Sequence, residues 1–137
     1  MDFPYVPRFF VDPQTKKEST FFRPEIPVRI SYGHRLSPGD FLALLDSGSD
    51  HNLFPSYLGL NLGINIRKGQ QYQIAGIGQN NIKIYRHPVC LFLGTQKINT
   101  FADFNEHQSI PLLGRRDFFA FFKEISFLES EKRIVIK

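Results

Sequence analysis

The sequence predicts an all-β domain with one short helix near its C-terminal end. From Pro24 onward, short segments rich in β-branched and aromatic residues are separated by Gly, Pro, Asn and Ser. Only one stretch, after Gly114, carries a broad apolar helical face. A chain of 137 residues with 42% hydrophobic content supports one core but not two lobes.

In chain order, residues 1–22 hold prolines at 4, 7 and 13 and a polar patch from Gln14 to Thr20 without a sustained period, which reads as an arm. The domain then spans residues 23–137. Strands are expected at 26–32, 41–46, 71–75, 81–85, 89–93, 98–103, 125–128 and 133–136. Turn-forming residues from Ser31 to Asp40 join the first two as a hairpin. Alternating apolar residues from Tyr72 to Tyr85 flank Gly76-Ile77-Gly78, predicting a hairpin with a glycine tip. Ile110-Pro111-Leu112-Leu113 reads as a buried strand, and Gly114 as a turn. A helix is expected next, with Asp117 near its positive end and Phe118, Phe119, Phe121 and Phe122 on its packed face.

Composition narrows the function. Cys90 is the single cysteine, so no intrachain disulfide is possible, and its apolar alternating surroundings predict a buried, inert thiol. No apolar run approaches the roughly 18–20 residues that span a bilayer, and no basic-then-apolar leader opens the chain. A cytoplasmic protein without membrane partners is expected. The net charge of +4 is scattered over Lys16-Lys17, Arg115-Arg116 and Lys132-Arg133, a solvated surface and not a nucleic-acid footprint. His87 and Cys90 have no matching second ligand pair, and His34, His51 and His107 are dispersed, so neither metal nor cofactor is expected.

The informative chemistry lies where the apolar strand Phe41-Leu42-Ala43-Leu44-Leu45 runs into Asp46-Ser47-Gly48-Ser49-Asp50. A carboxylate beside buried apolar residues is costly unless bonded, paired or protonated. Ser47 and Ser49 supply hydroxyls, and Gly48 admits close backbone approach. No histidine is placed by a serine-hydrolase motif, which leaves Asp46 as the reactive candidate. The Gly76-x-Gly78 spacing lacks the third glycine and following helix of a dinucleotide site.

Asp-Ser-Gly-Ser, a Gly-Ile-Gly hairpin about thirty residues on, and Leu-Leu-Gly-Arg about thirty-five beyond that follow one another in this chain. In this order and spacing it resembles the retropepsin-like (retroviral-type) aspartic proteases from about Arg23 to Phe122. The resemblance implies a closed barrel of the acid-protease fold with one short C-terminal helix, active as a two-fold dimer. It implies that Asp46 is catalytic, that Ser47 locks paired active-site loops, that Gly48 lines the cleft floor, and that Ser49 supports the loop. Residues 72–85 would form a flap with Gly76, Ile77 and Gly78 at its tip. Leu44, Ile110 and Leu112 would line substrate pockets, and Gly114 would permit close packing against the catalytic loop. Arg115 would pair with Asp50, which Arg23 of a second copy would also reach. The chain departs from the viral pattern at Ser49, where Ala is usual, at Asn52, where Ser or Thr is common, and at Gln79, a frequent Gly.

This chemistry needs two carboxylates sharing a proton, and the chain has one such triplet. A homodimer acting on a peptide substrate is therefore expected, with Asp46 from each copy at a two-fold axis. A Ser49 hydroxyl donating to the carboxylate would lower the pair's apparent pKa values. The alternative from another class is a catalytically silent dimeric peptide-binding or assembly module of the same fold. A further alternative is an enzyme whose N-terminal arm fills the cleft until removed.

Overall fold

The β-branched and aromatic segments form strands along most of the chain, and the computed structural model describes residues 1–75 and 81–137. The strands are β1 (Asp2–Pro4), β2 (Val6–Val11), β3 (Glu18–Arg23), β4 (Glu25–Tyr32), β5 (Arg35–Leu36), β6 (Phe41–Leu45), β7 (Leu53–Pro55), β8 (Gln70–Ala75), β9 (Asn81–Leu93), β10 (Gln96–Asn105), β11 (Leu112–Leu113), β12 (Ile125–Leu128) and β13 (Arg133–Ile136), with a single α-helix, α1 (Ser56–Leu60), among the described residues.

β4 shows why the sheet closes. Ile26, Val28 and Ile30 point inward and are buried, while Pro27 and Arg29 between them are partly exposed. One edge of β4 pairs antiparallel with β6, and further along Arg29, Ile30 and Ser31 pair with Phe92, Leu91 and Cys90 of β9. The ring β4-β6-β11-β7-β10-β9 is thereby complete, with β5 and β8 as added strands. Ala43, Leu45, Phe54, Leu91, Ile98, Phe104 and Leu113 fill its core. Each large side chain buried this way contributes about 1.5–3 kcal/mol. The fold is thus nearly all-β, as the sequence predicts.

Three local expectations are corrected. The two strands expected at 81–85 and 89–93 are one strand, β9, running through His87 and Pro88. Pro88 fits because β8 pairs with β9 only as far as Arg86 and β4 only from Cys90, so a missing N–H between them deprives neither neighbour. The helix expected after Gly114 shrinks to a 3-10 turn at Phe119–Phe121. Gly114 O accepts both Phe118 N–H (3.0 Å) and Phe119 N–H (3.1 Å), and Asp117 and Phe118 are both buried, each against a different part of the fold. Cys90 is not buried: it is partly exposed on the outer side of β9, with its thiol donating to Asn99 Oδ1 at 3.0 Å.

The segment read as an arm is folded. β1 joins β13 and β12 in a three-stranded sheet, and Met1 N donates to Ile136 O at 2.7 Å. Tyr5 is buried behind it, and its hydroxyl donates to Glu129 Oε1 at 2.7 Å. Burial, then the bond to Glu129, pushes the Tyr5 pKa up to about 12. β2 and β3 form a separate two-stranded ribbon. No helix among the described residues is long and apolar enough to cross a membrane.

Candidate active site

Asp46 stands at the end of β6, where parallel pairing with β11 aligns Leu44 with Leu112 and Leu45 with Leu113. Its N–H donates to Leu113 O at 3.0 Å, and one residue earlier Leu45 N–H donates to Pro24 O, also at 3.0 Å. Three segments distant in sequence therefore fix the carboxylate's position. Asp46 is partly exposed, and Oδ1 accepts Gly48 N–H at 2.9 Å. A Cβ at Gly48 would sit 3.3 Å from that oxygen, so the small residue keeps the turn tight around the acid.

The far end of the loop is built differently. Ser49 O and Asp50 O accept the N–H groups of Arg115 (2.7 Å) and Arg116 (2.8 Å), so the turn after β11 is laced to the loop. Gly114 makes this possible, since a Cβ there would lie 2.3 Å from His51 O. Asn52 is buried and fully bonded. Its amide donates to Phe101 O (3.0 Å) and Asp117 O (3.3 Å), and its Oδ1 accepts Gly114 N–H (3.0 Å). Asp117 accepts Arg86 through both carboxylate oxygens (2.8 and 3.0 Å), Asn52 N–H (3.2 Å), and contacts His51 Nδ1 at 3.0 Å. Arg86 also reaches Asp103 at 2.9 Å and stacks over Phe101.

Burial works against the charge of Arg86, but the hydrogen bonds to Asp117 and Asp103 outweigh it and raise its pKa. Burial also raises the pKa of the Asp103 carboxyl, an effect that Arg86 offsets only in part. A bidentate Arg–carboxylate pair held this way gives rigidity and not reactivity.

Several expected contacts are replaced. Ser49 Oγ donates to His51 O at 2.8 Å and not to Asp46, because the turn directs the hydroxyl along the loop. Asp50 and Arg115 form no ion pair in the single chain: both side chains are exposed, where pairing gains little, and their backbones carry the loop contacts instead. Arg23 lies over the Phe21 ring at 5.1 Å. Leu44, Ile110 and Leu112 are partly exposed beside the loop segments. β8 and the start of β9 pair as a hairpin from Gln70–Arg86 to Ala75–Asn81, but Gly76, Ile77 and Gly78 lie outside the described residues. No group of His, Cys, Asp and Glu suited to a metal occurs among the described residues. Sequence reasoning missed Asn52, Arg86, Asp103 and Asp117 as a network. The signal available was an acid, Asp117, set against four phenylalanines.

No family model matches this chain, and no curated protein does. Among solved structures, it is similar to EIAV protease complexed with the inhibitor HBY-793, with a TM-score of 0.50 and 25% identity, over 68% of this chain and 82% of that chain. The barrel is thus of the retropepsin-like fold, and the likeness supports a protease kind of function.

Proposed function

We propose that this chain is an aspartic endopeptidase whose active site is completed by a second copy. The observation that carries the proposal is Asp46 itself: a carboxylate at the end of a buried strand, partly exposed, with one oxygen held by Gly48 N–H, in a fold similar to that of a retroviral protease. In this reading Asp46 of each copy meets at a two-fold axis, and the two share one proton because like charges at close range cannot both ionise cheaply. One carboxylate takes a proton from water as its oxygen attacks the peptide carbonyl, and the other donates to the carbonyl oxygen. The resulting diol collapses with proton transfer to the leaving amine. Ser47 and Gly48 shape the turn, Leu44, Ile110 and Leu112 receive apolar side chains, and an extended peptide crosses the axis. Arg23 reaches Asp50 of the other copy once the dimer forms.

The test is incubation of wild type and Asp46→Asn with a peptide library between about pH 4 and 7, the range such pairs serve, with and without a pepstatin-like inhibitor. Cleavage by wild type alone, blocked by the inhibitor, is expected. Cleavage by both proteins would remove the carboxylate pair, and binding without cleavage would make the chain a silent peptide-binding module. Cleavage appearing only after loss of residues 1–22 would identify that segment as a cleft-filling inhibitor.

A further inference from the structure

Among the described residues, the ribbon β2–β3 pairs with no third strand. Its register places Pro7, Phe9, Val11 and Phe22 on one face and Arg8, Phe10, Phe21 and Arg23 on the other. Phe9 is 81% exposed, Val11 53%, Phe10 50%, Phe22 46% and Phe21 40%. A lone two-stranded hairpin is marginal in water, and this one has aromatic residues on both faces. The uncovered side chains amount to on the order of 500 Å² of apolar surface, divided between the two faces.

The root of the ribbon indicates what covers it. Arg8 donates from Nε to Glu25 at 2.9 Å, tying β2 to the first residue of β4, where Glu25 is buried. Pro24, directly after β3, accepts from Leu45 N–H, the residue before Asp46. The ribbon therefore leaves the barrel beside the carboxylate. A second copy that brings its own Asp46 alongside must lie against the roots of both ribbons. Six residues per strand at about 3.3 Å each give a reach of ~20 Å, enough to pass the axis and lie on the other barrel. Two ribbons together offer ~1,000 Å² of apolar surface, more than half of the ~1,600 Å² that a standard interface buries.

We infer that β2–β3 is an arm that clasps a second copy of this chain, burying Phe9, Phe10, Phe21 and Phe22 against it. The inference rests on the two-copy reading of Asp46. It assigns the ribbon to assembly and not to the substrate cleft.

Sedimentation equilibrium of the full chain tests it, comparing wild type with Phe9→Ser/Phe22→Ser on one face and Phe10→Ser/Phe21→Ser on the other. Circular dichroism monitors the barrel in each. Wild type is expected to be a dimer, and each double variant a folded chain with its dissociation constant raised at least about 100-fold. Amide exchange in residues 6–11 and 18–23 is expected to be slow in wild type at dimeric concentrations and fast on dilution. If a double variant unfolds, this exchange comparison on wild type alone decides the matter. A monomeric wild type, an unchanged dissociation constant in both folded double variants, or exchange in the ribbon that ignores concentration would overturn the arm. These outcomes separate from failure of the active-site reading: double variants that dimerise and cleave like wild type sink the arm alone, whereas cleavage by Asp46→Asn sinks the carboxylate pair and leaves the sedimentation result standing.

Discussion

The loop from Asp46 to Asn52 ends in two opposite ways. At its start, Asp46 is partly exposed, Ser47 and Gly48 are exposed, and a single N–H bond holds one carboxylate oxygen. At its end, Asn52 is buried with both amide hydrogens and its Oδ1 engaged, its N–H bound to Asp117, and its carbonyl accepting Asp103 N–H at 2.8 Å. A polar group whose bonds are all satisfied stiffens a fold and has nothing left for a substrate. A carboxylate with bonding capacity to spare, mounted on such a base, is the arrangement that precise chemistry needs.

Substitution at the open end should remove function without stability. Asp46→Asn is expected to lower peptide cleavage by at least about 10³-fold, while the urea midpoint stays near that of wild type. The closed end should behave in reverse. Asp117→Ala leaves Arg86 and Asp103 in a half-dismantled buried network and is expected to cost about 3–5 kcal/mol, read as a lowered urea midpoint. Gly114→Ala tests the seam between the two ends, since its Cβ must displace His51 backbone. A loss of about 1–3 kcal/mol together with reduced cleavage is expected, because the moved segment leads to Asp46. Ser49→Ala removes only the bond to His51 O and should cost about 0.5–1.5 kcal/mol, leaving the pH profile of cleavage unmoved. A shifted profile would mean that the hydroxyl turns to Asp46 during cleavage. Tyr5 provides a control remote from the loop and silent at neutral pH. Its folded pKa of about 12 exceeds the ordinary 10.0, so its contribution is intact below about pH 10 and is lost as the pH rises toward 12. Tyr5→Phe should remove that alkaline loss from a pH series of unfolding curves.

The sequence made the barrel legible wherever one face of a strand is buried. β4, β6 and β10 alternate or run apolar as their burial requires. The order of Asp-Ser-Gly-Ser and Leu-Leu-Gly-Arg was equally readable, and β6 and β11 do lie side by side. The ribbon β2–β3 was not, because alternation arises from burying one face, and neither face of the ribbon is buried. α1 escaped for want of length: five residues show no helical period, and no side chain caps its start. The four phenylalanines after Gly114 suggested a helix, but Asp117 and Phe118 are both turned inward, which breaks the regular face such a helix would need. Asp117 itself was read through a local rule, a charge near a helix end, whereas its partners Arg86 and Asn52 lie 31 and 65 residues away.

Asn52 and Asp117 hold one another through two hydrogen bonds, one from the Asn52 backbone and one from its side chain, and this limits how the chain can drift. A threonine at 52 would keep no donor for the Asp117 carbonyl and Phe101 carbonyl together, and an uncharged residue at 117 would leave Arg86 with Asp103 as its one acidic partner. Exchange at either position alone breaks bonds made to the other, so in descendants of this chain the two are expected to change together.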